Sequence, residues 1–95
     1  MGAILGFEHG FYTDRSADKA KSFVVPGALD VNQQVIDGYP KGTTYCLRIT
    51  AMAPQTYNVE ITENRTDGKK SPVYTDVFTV QNVNGKYLIA ELITK

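Results

Sequence analysis

The chain predicts an α+β fold: N-terminal helices packed on one face of a curved antiparallel meander of four strands or slightly more. Three observations carry that expectation. Up to Pro40 the apolar residues recur at intervals of three and four, which is one helical face; after Pro40 they alternate, which is a half-buried strand. Near the C-terminus, Asn84-Gly85 divides two apolar-rich runs, and this dipeptide signals a hairpin because a type I′ turn needs positive φ at both central residues. Helices first and strands after mean that the helices are segregated to one side of the sheet.

Ala3, Ile4, Phe7 and Phe11 predict a first helix over residues 3–13. Gly6 and Gly10 each weaken it by roughly 1 kcal/mol relative to alanine, so packing must hold it, and two small residues four apart let a helix lie close against a sheet. Ser16 or Asp14 opens a second short helix with Ala17, Ala20, Phe23 and Val24 on one side, ended by Pro26-Gly27. Leu29, Gln33, Val35 and Ile36 suggest a third, capped by Asp30 and stopped by Gly38 and Pro40.

Residues 43–51 then alternate, with Tyr45, Leu47, Ile49 and Ala51 on one face and Thr44, Cys46, Arg48 and Thr50 on the other. The chain turns at Ala53-Pro54-Gln55. Tyr57, Val59 and Ile61 alternate with Asn58, Glu60 and Thr62, and Asp67-Gly68 gives a second hairpin signal before the final hairpin over residues 71–95. Two-residue turns fix register. They set Val80 opposite Ile89, Phe78 opposite Glu91 and Asp76 opposite Ile93. They also set Ile61, Val59 and Tyr57 opposite Tyr74, Asp76 and Phe78. One face then collects Tyr57, Val59, Ile61, Tyr74, Phe78, Val80, Tyr87, Ile89 and Ile93, with the carboxylates Asp76 and Glu91 among them. The other face carries Val73, Val77, Leu88 and Leu92, an apolar stripe that the helices cannot reach.

With 95 residues the chain is one domain, residues 1–95, large enough for a modest core. Ten basic and ten acidic side chains balance to zero net charge, which implies no nucleic-acid or anionic-membrane partner. The single cysteine, Cys46, excludes an internal disulfide and a cysteine-based zinc cluster and reads as a buried or half-buried inert thiol. No apolar run is long enough to span a membrane, so this segment reads as soluble, with no direct membrane insertion. Met1-Gly2 opens like a myristoylation signal, but Gly6 stands where that motif has Ser or Thr. With Ile4, Leu5 and Phe7 needing cover at once, the domain reads as one excised from a longer chain.

A family resemblance is carried by four features in order. They are a helix with an aromatic end (Phe7, Phe11, Tyr12), then Asp14-Arg15-Ser16, then a short Ala-rich helix ending in Val24-Val25-Pro26. A sheet closing on Asn84-Gly85-Lys86-Tyr87-Leu88-Ile89 completes the set. This resembles the nuclear-transport-factor-2-like superfamily, whose cone-shaped sheet typically ends on a Gly, a basic residue, an aromatic and an apolar residue. More narrowly, residues 2–9 and 39–50 resemble the C-terminal domain of actinobacterial, mycobacterial-type membrane-anchored proteins of unknown function. The resemblance implies an extracytoplasmic domain, tethered at the cell envelope in its full-length form.

In enzymes of that superfamily the sheet and helices enclose a pocket where Asp, Glu, His or Tyr move protons. The candidates here are His9, Tyr12, Asp14, Asp76 and Glu91. As diagonal neighbours on an apolar face, Asp76 and Glu91 could split their pKa values into one neutral acid and one anionic base. The plainer reading is that both lie at the sheet rim, solvated or paired with Arg15, Arg48 or Lys95. His9 alone on a helix is more often structural than a base. Pocket walls are expected from Phe11, Tyr12, Tyr57, Phe78 and Tyr87. No metal or cofactor is expected, and Asn64-Arg65-Thr66 reads as a turn rather than a used glycosylation sequon.

The favoured function is a non-catalytic binding or assembly module, with a homodimer or a protein partner on the stripe of Val73, Val77, Leu88 and Leu92. A small apolar ligand in a cone pocket is one alternative, and an isomerase or dehydratase using Asp76, Glu91 or His9 is another. A filled core favours the first, an apolar pocket the second, and a pocket with a buried, shifted carboxyl group the third.

Overall fold

The computed structural model describes residues 2–66 and 72–94. Helices α1 (Gly2–Tyr12), α2 (Ala17–Lys21) and α3 (Gln33–Asp37) come first. They are followed by strands β1 (Thr44–Ala53), β2 (Thr56–Asn64), β3 (Val73–Val83) and β4 (Lys86–Thr94). The strands pair antiparallel in the order β1-β2-β3-β4, an α+β meander with the helices on one face.

Ser16 caps α2 as its chemistry predicts: its backbone is extended and its hydroxyl accepts the Lys19 N–H at 3.2 Å. The helix stops at Lys21, earlier than the apolar spacing implies. The edge of β4 supplies the reason. Ile89 N donates to the Phe23 carbonyl and Val25 N to the Ile89 carbonyl, both at 2.8 Å, so these groups join the sheet instead of a further helical turn. Asn32 rather than Asp30 caps α3, its Oδ1 accepting the Gln34 N–H at 2.8 Å. Gly10 gives way to helix α2 and Gly6 to the Phe23 ring just after it. A Cβ on Gly10 would stand 2.8 Å from the Ala20 backbone nitrogen, and one on Gly6 would stand 2.4 Å from the Phe23 ring.

The β2–β3 register agrees with the expected one, Ile61 facing Tyr74, Val59 facing Asp76 and Tyr57 facing Phe78. The Asp67-Gly68 turn, the Lys69-Lys70 pair and Lys95 lie outside the described residues. Asn84 and Gly85 have φ of 54° and 86°, and the Gly85 N–H donates to Asn82 Oδ1 at 2.8 Å. Replacing Gly85 by valine is therefore expected to cost about 1–3 kcal/mol, because a β-branched residue is strained at that φ. A urea midpoint equal to wild type would show that the turn tolerates the side chain and that the register argument is misplaced.

Val80 faces Ile89 as expected, but one residue later the ladder slips. The register shifts between Thr79 and Val80, so Thr79 faces Glu91, Phe78 faces Leu92, Val77 faces Ile93 and Asp76 faces Thr94. Ala90 is the extra residue of a β-bulge, and one extra residue reverses the side-chain parity of everything beyond it. Three expectations fall with it. Glu91 lies on the outer, exposed face and is not a neighbour of Asp76 on the inner one; Leu92 turns inward; Ile93 turns outward and is 51% exposed. The outer apolar stripe accordingly reads Val73, Val77, Leu88 and Ile93, without Leu92.

The core lies between the helices and the inner sheet face. Ile4, Phe7, Ala20 and Ile36 meet Val59, Ile61, Phe78, Val80 and Ile89, with Phe11, Phe23, Tyr45 and Tyr57 packed around them. Cys46 is exposed, contrary to the expected burial, because nothing covers the outer face of β1. Among the described residues no helix is long and apolar enough to cross a membrane.

Candidate functional site

Helical spacing puts Ile4, Glu8 and Tyr12 on one stripe of α1, and all three are buried. Strand alternation does the same on β2, where Val59, Ile61 and Glu63 share the inner face and Glu63 is fully buried. Two glutamates thus enter the interior between helix and sheet, joined there by Asp76 of β3, 9% exposed.

Glu63 is satisfied from two sides. The Tyr12 hydroxyl donates to its Oε2 in a short hydrogen bond, and Arg65 Nε donates to its Oε1 at 2.9 Å. The Arg65 guanidinium also donates to the Tyr74 hydroxyl at 3.3 Å and lies 5.1 Å from the Tyr39 ring centroid. A buried anion needs this kind of enclosure, since an uncompensated one costs several kcal/mol. Burial, and then the bond to Glu63, raises the Tyr12 pKa and keeps its hydroxyl protonated. Arg65 therefore ties the chain after β2 to the aromatic wall, a role beyond the simple turn that its sequence context suggested.

Glu8 is different. It is 3% exposed and lines a hollow beside α1. Burial first, then the negative charges of Asp76 and Glu63, push its pKa up to about 8, so near neutral pH it is mostly the uncharged acid. Burial also raises Asp76 above its ordinary value, with a hydrogen bond to the Thr94 hydroxyl pulling the other way.

These groups border an open cavity of about 310 Å³ between α1 and the sheet, lined by Phe7, Glu8, Phe11, Tyr12, Tyr39, Ile61, Tyr74, Asp76, Leu92 and Thr94. The bulge in β4 is what brings Leu92 and Thr94 to this side. Edge-on ring contacts of Phe11 with Tyr12 and Tyr39, centroids 5.1 and 5.5 Å apart, build the wall, and Tyr45 stacks on Tyr12 at 4.8 Å. Arg15 anchors this wall from outside, donating to the Tyr39 carbonyl at 2.8 Å and the Pro40 carbonyl at 3.4 Å. It pairs with neither Asp76 nor Glu91.

Of the candidates read from sequence, Phe11, Tyr12 and Asp76 meet at this cavity. Glu91 does not, for the reason of parity given above. His9 points away on the exposed flank of α1, its Nδ1 3.3 Å from Asp14 Oδ2, while Lys19 Nζ lies 3.8 Å from Asp14 Oδ1. Phe78 is fully buried in the core, Tyr57 is half-buried beside it, and Tyr87 is 50% exposed; none of the three borders the cavity. Sequence reasoning passed over Glu8 and Glu63. The signal was present in each case, as a glutamate falling in phase with Ile4 and Tyr12 and another in phase with Val59 and Ile61.

A neutral carboxylic acid beside an ionisable one can donate a hydrogen bond to a ligand or exchange a proton with it. Among the described residues no three His, Cys, Asp or Glu side chains are placed to hold a metal ion. Residues 1–93 match a family model described as "Domain of unknown function (DUF8176)". No curated protein matches the chain.

Proposed function

We propose that this chain, which belongs to the DUF8176 family of domains of unknown function, binds a small organic molecule in the cavity between α1 and the sheet. One observation carries the proposal: the buried Glu8 lines a hollow of about 310 Å³ walled by aromatic rings. A carboxyl group facing such a hollow can hydrogen-bond a polar group of a ligand, and hydrogen bonds of this kind contribute roughly 0.5–1.5 kcal/mol each. Cavities of this size, mostly apolar with a few convergent polar groups, are what small-molecule sites look like. This reading displaces the non-catalytic assembly module that the sequence alone favoured.

Thr94 stands exposed at the cavity rim, so Thr94→Trp should block entry without entering the core. Fragments that bind the wild type in ligand-observed NMR are expected to lose binding in this variant, with the fold verified by circular dichroism. Hits that all survive Thr94→Trp would sink the cavity as the binding site.

A second reading is favoured by the pairing of Glu8 with Asp76. Both are raised by burial, Glu8 to about 8, and a carboxyl group held as the neutral acid beside a second one is the outfit of proton-transfer chemistry of the isomerase or dehydratase type. Glu8 takes in this reading the part that sequence reasoning gave to Glu91. The nuclear-transport-factor-2-like relationship and an extracytoplasmic, tethered setting are proposals supported by the residue resemblance. A homodimer or protein partner on the outer face is a proposal for the corrected stripe of Val73, Val77, Leu88 and Ile93.

A further inference from the structure

We infer that the cavity takes a compact organic cation, an alkylammonium head held between the aromatic rings and the carboxyl groups of Glu8 and Asp76. The inference rests on the cavity reading and adds the charge of the ligand to it.

Burial and the negative charges of Asp76 and Glu63 press the same way on Glu8. Tyr12 lies on its own helix, Tyr39 on the segment before β1, Glu63 on β2, and Tyr74 and Asp76 on β3, with Leu92 and Thr94 from β4. Arg65 is the one cation bonded into this surface among the described residues, and it is committed to Glu63 at 2.9 Å. Those two charges offset one another. Asp76 is then the uncompensated carboxylate, and Glu8 holds a proton that a bound cation could displace. An anionic ligand would meet Glu63, Asp76 and Glu8 with no free positive partner among the described residues. Among the described residues no three His, Cys, Asp or Glu side chains gather to hold a divalent metal ion either.

The rings supply the second half of the argument. An organic cation over an aromatic face within about 6 Å is attracted by the ring quadrupole, and recognition of quaternary ammonium groups by aromatic cages is the recurrent use of this effect. Arg65 already sits this way on Tyr39, at 5.1 Å, so one ring of this wall already holds a cation. Phe11, Tyr12 and Tyr74 line the same hollow.

Choline and its neutral carbon isostere, 3,3-dimethylbutan-1-ol, have the same shape and differ in charge, so they isolate the inference. Calorimetry of each against the wild type across pH 6–9 is expected to show choline bound at least about tenfold more tightly at pH 8. The preference should weaken as pH falls below the Glu8 pKa of about 8, because the cation must then displace the Glu8 proton. Titrations near pH 7 in phosphate and in Tris should differ in heat by the proton released. Glu8→Gln is expected to remove most of the pH dependence and that proton release. Equal affinities, or a tighter alcohol, overturn the cationic ligand and leave the cavity reading standing. Failure of choline alongside neutral fragments that are lost in Thr94→Trp does the same. A screen with no fragment lost in Thr94→Trp overturns both.

Discussion

Wild-type stability is expected to fall as pH rises from about 5 to 8, and Glu8→Gln to remove most of that fall. Glu8 has a pKa of about 8 in the folded chain against its ordinary value of 4.5. Between those values the folded state holds a proton that the unfolded state has lost, so each step upward in pH favours unfolding. The stabilisation is complete below pH 4.5 and gone above about 8. At about 1.36 kcal/mol per pH unit, the gap corresponds to roughly 5 kcal/mol as an upper bound. Asp76 is raised by burial as well and adds in the same direction. Urea unfolding at pH 5, 6, 7 and 8 measures this directly. Glu8→Gln keeps the shape and carries no charge, so it should match the wild type at the acid end and exceed it at pH 8. A wild-type curve flat across this range would mean that the carboxyl group is not held among negative charges as described.

Phe78→Ala is the other variant with a large expected effect. Phe78 is fully buried and packs edge-on against Phe7, with ring centroids 6.1 Å apart and planes at 67°. It also faces Tyr57 across β2 and Leu92 across β4, so its loss leaves a void between the sheet and α1. Phenylalanine-to-alanine changes at such sites cost about 3–5 kcal/mol. A domain of this length has a total stability on the order of 5–14 kcal/mol, so the variant should sit near the edge of unfolding. Val73→Ala on the outer face, where Val73 is 58% exposed, is expected to change stability by no more than about 0.5 kcal/mol. Thermal midpoints by circular dichroism would compare the two. Similar losses from both would mean that the inner and outer faces of β3 have been exchanged.

The bulge at Ala90 links fold and site. Without it Glu91 would share the inner face with Asp76, and Leu92 and Thr94 would point outward. With it, Leu92 becomes cavity wall and Thr94 cavity rim, and the second carboxyl group of the site comes from α1 instead of β4. The chemistry expected of a carboxyl pair survives in this fold, with one member replaced by a residue from a different element.

The sequence by itself determined the order of helices and strands, the Asn84-Gly85 turn, the β2–β3 register and the inward face of the first three strands. Each of these is written in periodicity or turn chemistry, which act within a few residues and need no knowledge of the rest of the chain. The tertiary structure decided what remained. The bulge leaves no local mark, because Ala90 fits a regular ladder as well as a broken one, yet it reverses every side chain beyond it. The C-terminal end of α2 was decided by the open edge of β4, which took up the backbone groups of Phe23 and Val25. Burial of Glu8 and Glu63 was legible as phase but not as fact, since a glutamate in phase with a core is tolerable only where partners or a cavity receive it. Tyr12 and Arg65 supply those partners for Glu63 from distant parts of the chain, and the cavity receives Glu8; neither arrangement exists until helix and sheet have met.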